Sequence, residues 1–337
     1  MTAGSDDGYS PVVAQQPDTA PSTSPISPDP PYEQRLTPTS LAIACLLGGQ
    51  RPPDLQGPLR FVHIGCGSGL TTVAIAAGYP HADVWAWDPL PENVEATIRR
   101  RDSAGLSNMI VDTCASLPGD LGGARVDILV VEDILVIAHD ELRTRIMEAI
   151  DANLRPGGLA CVTYKTQIGW IEIAPVVTLM RYIARQFPDE RDVLVPRVLA
   201  VLHGLWSGDA KHLTARPAVR AWVENLFLAD HDTILQQYLR DDFRPLSHAE
   251  VATAMASIDC NFVGSALVAD QRIDDLPTAL VGMIDGASTP VLRETYLDLA
   301  TRRTERSDVF RRGHAPICGT DRAAALSVLQ ALSESNR

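Results

Sequence analysis

The chain has 337 residues, a hydrophobic fraction of 45% and a formal net charge of −13. This length and apolar content suit one large domain or two smaller ones with a buried core. The excess of acidic side chains repels phosphate backbones, so general nucleic-acid binding is disfavoured. The sequence contains no apolar run of about 18 residues, so no membrane span is predicted. Its N-terminus has no basic segment followed by an apolar one, so no signal peptide is predicted.

The cysteines and basic residues indicate the cellular setting. None of the six cysteines forms a C-x-x-C pair and most lie in apolar runs, which predicts buried free thiols in a reducing cytoplasm. Lys165 and Lys211 are the only lysines among the 29 basic residues, a bias typical of a high-GC bacterial genome. The histidines lack the spacing of a metal site, so no metal is expected.

In chain order, residues 1–31 come first; they are rich in proline, serine and aspartate, and contain no lysine or arginine. This composition cannot bury enough apolar surface to offset the entropy of ordering, so it predicts a disordered tail. Order is expected from Tyr32. A helix is predicted over Thr39–Leu47, and Gly48-Gly49 ends it.

Residues 32–187 then alternate between short apolar runs and helical patterns. Such alternation implies right-handed crossovers and an α/β fold with a doubly wound, Rossmann-like parallel sheet. The predicted strands are Leu59–Ile64, Ala82–Trp87, Met109–Val111, Val126–Val131 and Leu159–Tyr164, and the predicted helices are Thr71–Gly78, Glu92–Gly105 and Asp140–Leu154.

The pattern changes after Trp170. The chain from Ile171 to Leu239 looks helical, and residues 188–245 are interpreted as a helical insertion or cap through which a homodimer is plausible. Residues 246–315 predict a return to the sheet with an antiparallel edge. Residues 316–337 are expected to form a terminal helix and tail. The elements predicted in the return are a helix over Ser247–Ile258 with a capping box, a strand over Asn261–Val268, a helix over Leu292–Ala300 and a short strand over Asp308–Arg312.

The strongest functional motif is Gly65-Cys66-Gly67-Ser68-Gly69, between the first strand and its helix. Glycines let the backbone approach a ligand closely, and the following helix presents free N–H groups to an anion. A dinucleotide motif would need glycine at position 70, where Leu70 stands, which argues against a nicotinamide oxidoreductase. The spacing G-x-G-x-G is common in methyltransferases. The alternative is a tight turn that binds no ligand.

Two further strand ends predict the rest of the cofactor site. Asp88 ends the second strand, where a carboxylate accepts hydrogen bonds from ribose hydroxyls; the alternative is an aspartate that caps the next helix. Ala115 and Ser116 follow the third strand and are expected beside the adenine, unless this stretch is a plain loop.

The last two strands of the series predict the catalytic groups. Glu132 and Asp133 follow the fourth strand, where an acid can stabilise a cation or accept a proton; the alternative is a pair of solvated loop acids. Tyr164 ends the fifth strand and is predicted to line a methyl-transfer channel.

Several sequence blocks between Tyr32 and Arg312 resemble one protein family, the bacterial methyltransferases with a methyltransferase regulatory domain. This group includes rickettsial protein-lysine methyltransferases. The blocks are Thr37-Pro38 with Leu41–Gly49, His63–Gly69, Leu154–Tyr164 with Gly169-Trp170, Phe243–Leu246 with Phe262–Ala266, and Arg293–Asp298 with Phe310-Arg311. The resemblance implies a class I methyltransferase that uses S-adenosyl-L-methionine, and it favours a protein lysine as methyl acceptor. The chain is expected to lack the C-terminal domain of the longest members.

The chain departs from the family pattern at the sheet edge. His63 stands where an acid usually opens the glycine motif and helps to organise the amine of the cofactor's methionine. Glu132-Asp133 replaces a His-Gly pair, Leu135 and Ile137 replace an aromatic pair, and Lys165 replaces an asparagine. The residues expected to bind the cofactor are His63, Gly65, Cys66, Gly67, Gly69, Asp88, Ala115 and Ser116, and those expected in catalysis are Glu132, Asp133 and Tyr164.

Two other functions remain compatible with these residues. One is a methyltransferase that acts on the nitrogen or oxygen of a small molecule beneath the helical cap. The other is a non-catalytic binding or regulatory module that keeps the fold.

Overall fold

The structure is a computed structural model, and it describes residues 32–114, 125–187, 191–240 and 242–335. Its centre is a seven-stranded sheet in the order β3-β2-β1-β4-β5-β7-β6. The strands are β1 Leu59–Ile64, β2 Ala82–Asp88, β3 Met109–Thr113, β4 Val126–Val131, β5 Leu154–Lys165, β6 Cys260–Ser265 and β7 Glu305–Arg312. The disordered tail predicted for residues 1–31, and Ala115 and Ser116, lie outside the described residues.

Strands β1 to β5 are parallel, and β1 lies at the centre between β2 and β4. Strand β7 pairs antiparallel with β5, and β6 pairs antiparallel with β7. Both the doubly wound α/β sheet and its antiparallel edge were predicted, and the structure confirms them. The carboxyl ends of the five parallel strands therefore meet at one edge of the sheet.

Helices cover both faces of this sheet. Short 3-10 helices are also found at Gln34–Leu36 and Val268–Gln271. Among the helices of the described ranges, none combines the length and apolar character needed to cross a bilayer. The α-helices are α1 Pro38–Leu47, α2 Leu70–Gly78, α3 Pro91–Ser103, α4 Ile134–Ile137, α5 Asp140–Asn153, α6 Gln167–Trp170, α7 Ala174–Arg185, α8 Arg191–Ser207, α9 Lys211–Thr214, α10 Pro217–Leu226, α11 His231–Gln237, α12 His248–Ala256, α13 Thr278–Asp285, α14 Pro290–Thr301 and α15 Gly319–Ser335.

The alternation of side chains along the strands divides the core into two apolar clusters. Phe61 of β1 belongs to one cluster, with residues of α1, α2 and α15, whereas Val62 and Ile64 belong to the other. The second cluster includes buried residues of α7, and of α8 and α10, which lie in residues 188–245, the predicted helical insertion. The insertion thus packs against the same face of the sheet as α5, and its apolar residues extend that core.

Several predicted boundaries were wrong because tertiary pairing overrides local patterns. Strand β5 begins at Leu154, directly after α5, since Leu154 pairs with Val126 across a register shift. Strand β7 begins at Glu305 because it pairs along β5 as far as Lys165. Strand β6 ends at Ser265, and the expected extension to Val268 enters a 3-10 helix. The capping box of α12 was predicted and is confirmed at Ser247 and Glu250.

The six cysteines are free, and five of them are buried as predicted. Burial raises the pKa of the buried thiols, for example to about 11 at Cys260 and to about 12 at Cys114. These thiols stay protonated near neutral pH, which suits a packing role. Cys318 is exposed, contrary to the prediction for the set, because it lies in the turn before α15.

Asp308 of β7 is the acceptor of a buried polar network that joins β5 to the later helices. The Tyr164 hydroxyl donates to its Oδ2 at 2.5 Å, and Nδ1 of His248 lies 2.8 Å from the same oxygen. Arg306 donates to Oδ1 at 2.8 Å and also pairs with Glu294. Burial alone would raise the pKa of Asp308, but Arg306, His248 and Tyr164 bring it below its usual value.

We predict that Asp308→Asn lowers the free energy of unfolding by about 3–5 kcal/mol, because it removes one charge from a buried pair and leaves Arg306 partly uncompensated. The control is Asp83→Asn, which breaks a pair between Arg60 and a carboxylate that is 66% exposed. It should cost about 0–1 kcal/mol. Urea unfolding followed by circular dichroism measures both values, and equal losses would contradict the buried role of Asp308.

Candidate functional site

The glycine turn joins β1 to α2 and is tied to the neighbouring strand. The N–H of Gly65 donates to the carbonyl of Trp87 at 2.7 Å, and the N–H of Cys66 donates to the same oxygen at 3.2 Å. The φ angles of Gly65, Gly67 and Gly69 are +85°, +55° and +82°. Side chains with a Cβ disfavour this left-handed region, which explains the choice of glycine.

The three glycines have different surroundings. A Cβ on Gly65 would collide with the carbonyl oxygen of Glu132, and a Cβ on Gly69 would collide with the side chain of Thr97. A Cβ on Gly67 would meet no heavy atom of the described residues within 4 Å. Gly65 and Gly69 therefore allow close packing within the protein, whereas Gly67 leaves one side of the turn open.

Asp88, the last residue of β2, holds the turn from the side. Its Oδ2 accepts the N–H of Gly67 at 2.8 Å, and its Oδ1 accepts the N–H of Leu90 at 3.0 Å and Nδ2 of Asn93 at 2.9 Å. The side chain is 3% exposed, and this burial raises its pKa. A carboxylate offers about four acceptor positions, so three bonds leave one for a ribose hydroxyl. The helix-cap alternative is wrong, because the N-cap of α3 is Leu90 and receives no side-chain cap; the ribose acceptor stays a prediction that this geometry allows.

His63 lies beneath the turn and is fully buried. Its Nδ1 is 2.7 Å from Oγ1 of Thr72, in the first turn of α2, and its Nε2 is 2.9 Å from Oε2 of Glu132. In the sequence, His63 and Glu132 are separate departures from the family pattern. The structure brings them into contact, so they form one pair.

Glu132 and Asp133 follow β4 at the carboxyl edge of the sheet. The N–H of Glu132 donates to the carbonyl of Ile64 at 2.8 Å, which fixes this loop against the end of β1. Asp133 has a φ of +51°, a strained angle for a residue with a side chain. The N–H of Asp133 donates to Oγ1 of Thr163 at 2.9 Å, and this hydroxyl donates to Oδ1 of Asp133 at 2.9 Å.

A chain of ion pairs continues from Asp133 along the edge. Lys165 lies 3.7 Å from Asp133 and 2.6 Å from Glu305, and Arg35 lies 3.4 Å from Glu305 and 3.3 Å from Glu33. Burial alone would lower the pKa of Lys165, but Asp133 and Glu305 raise it above its usual value. Lys165 therefore remains a cation and cannot serve as a base near neutral pH.

Tyr164 does not join the other predicted catalytic residues. It is fully buried, and its hydroxyl donates to Asp308 in the network described above. Cys66 is also buried, and its thiol lies 3.9 Å from Oγ1 of Thr97. Burial raises the pKa of this thiol, so it stays protonated near neutral pH, and the backbone N–H and carbonyl of Cys66 are bonded within the protein.

Sequence reasoning missed several residues at this edge. Thr72 and Thr97 stand in ordinary helical patterns, although Thr72 follows the turn so closely that its position was a usable signal. Glu33 and Arg35 precede the first predicted helix, and Glu305 lies 140 residues after Lys165. No local pattern connects such distant residues. The described residues contain no group of three or more His, Cys, Asp or Glu side chains that could hold a metal ion.

Two family models match the chain in the regions just described. The model of a methyltransferase domain matches residues 61–158, which contain the glycine turn, Asp88 and Glu132. The model of a predicted methyltransferase regulatory domain matches residues 230–312, which contain α12, α14 and the last two strands. The chain resembles class I methyltransferases with a regulatory domain. The family named from the sequence is therefore confirmed as a resemblance.

Relatives of this methyltransferase-like chain are longer than it is. An uncharacterized protein from Synechocystis sp. is 24% identical over 298 residues, which cover 88% of this chain and 59% of the relative. One from Rickettsia prowazekii is 21% identical over 291 residues, which cover 83% of this chain and 51% of the relative. The chain thus spans between half and three-fifths of these relatives.

A solved structure supports the fold. PKMT2 from Rickettsia typhi, determined in complex with AdoHcy, superposes with a TM-score of 0.71 at 22% identity. The match covers 88% of this chain and 57% of PKMT2. A likeness of this extent shows that the two chains share a fold over most of the present chain.

The different surroundings of the glycines predict different costs of substitution. Gly65→Ala should lower the free energy of unfolding more than Gly67→Ala, because both place alanine at a positive φ but only the first meets the backbone of Glu132. The left-handed angle alone should cost Gly67→Ala about 1–2 kcal/mol. Urea unfolding compares the two variants. A Gly67→Ala loss as large as that of Gly65→Ala would show that the open side is filled.

Proposed function

We propose that this protein binds S-adenosylmethionine at the glycine turn and transfers its methyl group to an amine. The observation that carries the proposal is the open side of Gly67 in a turn that Trp87, Asp88 and Glu132 hold in place. The first turn of α2 contains no acidic residue, and its N-cap, Gly69, provides no side-chain cap. Its N–H groups are therefore suited to the carboxylate of the cofactor.

The described residues fit this cofactor on chemical grounds. Asp88 has one acceptor position left for a ribose hydroxyl, and Gly67 allows the backbone to approach the nucleotide. Ala115 and Ser116 stay candidates for the adenine side, as the sequence suggested. The AdoHcy bound to the Rickettsia typhi neighbour supports the same assignment.

The charge of the sheet edge favours a cationic acceptor. Four carboxylates, from Glu33, Glu132, Asp133 and Glu305, face two cations, from Arg35 and Lys165. An excess of negative charge concentrates cations near the site, and lysine is the most common cationic amine on protein surfaces. The family resemblance also favours a protein lysine, so we propose this side chain as the acceptor.

Catalysis on a lysine requires the amine to lose its proton before it attacks. When bound, S-adenosylmethionine supplies a methyl group activated by a sulfonium. Asp133 is the proposed proton acceptor because its side chain is 42% exposed and its strained backbone is fixed by Thr163. Positioning of the two reactants contributes most of the rate, roughly 7–11 kcal/mol in well-oriented systems. Tyr164 is left out of this mechanism because its hydroxyl is committed to Asp308.

Calorimetry tests the cofactor. We expect wild-type protein to bind S-adenosylmethionine and S-adenosylhomocysteine. Gly67→Ala should lower the affinity for both ligands by about tenfold or more, because the added methyl group occupies the open side of the turn. Gly78→Ala is the matched control, since it adds the same methyl group in open space at the far end of α2. NADH binding, or no binding by any of these ligands, would contradict the proposal.

A labelled-methyl assay tests the acceptor. The protein is incubated with bacterial lysate and S-adenosylmethionine that carries a tritiated methyl group. We expect label in the protein fraction, and we expect its loss when the lysines of the lysate are first blocked by acetylation, which turns each amine into a non-nucleophilic amide. Label confined to the small-molecule fraction, or unaffected by the block, would overturn the lysine proposal and leave the cofactor proposal intact.

A further inference from the structure

Glu132 differs from the other acids near the glycine turn in how its carboxylate is used. Asp88 accepts three hydrogen bonds from Gly67, Leu90 and Asn93. Asp133 is bonded to Thr163 and lies near Lys165. Within the described ranges, the Glu132 carboxylate has only the His63 imidazole within ion-pair distance.

The position of Glu132 is fixed from two directions. Its backbone N–H donates to Ile64, and its carbonyl oxygen lies where a Cβ on Gly65 would be. Nε2 of His63 lies 2.9 Å from its carboxylate, within ion-pair distance. His63 is itself anchored to Thr72 of α2, so the pair is part of the frame of the turn.

The carboxylate is held on one side and accessible on the other. The side chain of Glu132 is 22% exposed, whereas that of His63 is fully buried. Arg35 and Lys165 form their ion pairs with Glu33, Asp133 and Glu305 instead, so among the described residues neither cation lies within ion-pair distance of Glu132. An accessible carboxylate beside an open backbone turn is a ready acceptor for a cationic group of a ligand.

We propose that Glu132, positioned by His63, accepts the hydrogen bonds of the α-ammonium group of the bound cofactor. This inference rests on the proposed function, because the amino-acid end of S-adenosylmethionine carries that ammonium. The imidazole is fully buried, so it is not exposed to a ligand itself; its Nδ1 is bonded to Thr72, and its Nε2 lies 2.9 Å from Glu132 without hydrogen-bond geometry. Glu132 is thus a binding residue, and His63 is a positioning residue that keeps the carboxylate in place.

The test separates the ammonium from the rest of the ligand. Two ligands are compared by calorimetry: S-adenosylhomocysteine, and its analogue in which hydrogen replaces the α-amino group. Wild-type protein should bind S-adenosylhomocysteine about tenfold to hundredfold more tightly than the analogue, as expected for a charge-assisted hydrogen bond. This comparison needs no variant, so it remains informative if a substitution impairs folding.

The variant Glu132→Gln removes the charge and keeps the size of the side chain. This substitution should lower the affinity for S-adenosylhomocysteine by about tenfold to hundredfold and change the affinity for the analogue by less than about twofold. Glu224→Gln, on the surface of α10, is the matched control and should change neither. If the role of Glu132 were only structural, Glu132→Gln would lower the affinity for both ligands by the same factor.

Three results would overturn the inference while the proposed function stands. The wild-type protein could bind both ligands with equal affinity. Glu132→Gln could bind S-adenosylhomocysteine as tightly as wild type, or it could lose affinity for both ligands equally. Binding of neither ligand by the wild-type protein would instead remove the proposed function, and the inference with it.

Discussion

The structure of the candidate site depends on the attachment of one glycine turn to its two neighbouring strands. The carbonyl of Trp87 and the carboxylate of Asp88 hold the turn from β2, and the backbone of Glu132 closes against it from β4. Because β1 lies between these strands, the turn is supported on both sides. These contacts fix its backbone, and a fixed backbone lowers the entropic cost of binding the cofactor that we propose.

The charges near this turn fall into two groups with different consequences. At the accessible edge, carboxylates outnumber cations and each of these side chains is partly exposed, so their charge is available to the proposed methyl acceptor. In the interior, Asp308 joins Tyr164, His248 and Arg306 in a network that links the later helices to β5. The region matched by the regulatory-domain model is thereby attached to the methyltransferase sheet by buried charges, whose loss is costly.

The sequence was sufficient to predict those features that depend on local chemistry. Apolar runs separated by helical patterns predicted the parallel strands, and glycine spacing predicted the turn, because both follow from the conformations that nearby residues allow. The contact of His63 with Glu132 could not be predicted, since it joins side chains of two strands whose adjacency only the fold decides. The predicted place of Tyr164 in a methyl-transfer channel failed for the same reason. Alternation along β5 does not reveal that its hydroxyl donates to Asp308 in the buried core.

The most direct test of the account is a crystal structure of the protein with S-adenosylhomocysteine. The account predicts that the amino-acid end of the ligand lies against Gly65–Gly69 on the open side of Gly67, with the ribose beside Asp88 and an otherwise unchanged turn. A ligand bound elsewhere, or a turn that must rearrange to admit it, would contradict the claim that the neighbouring strands set this site in advance.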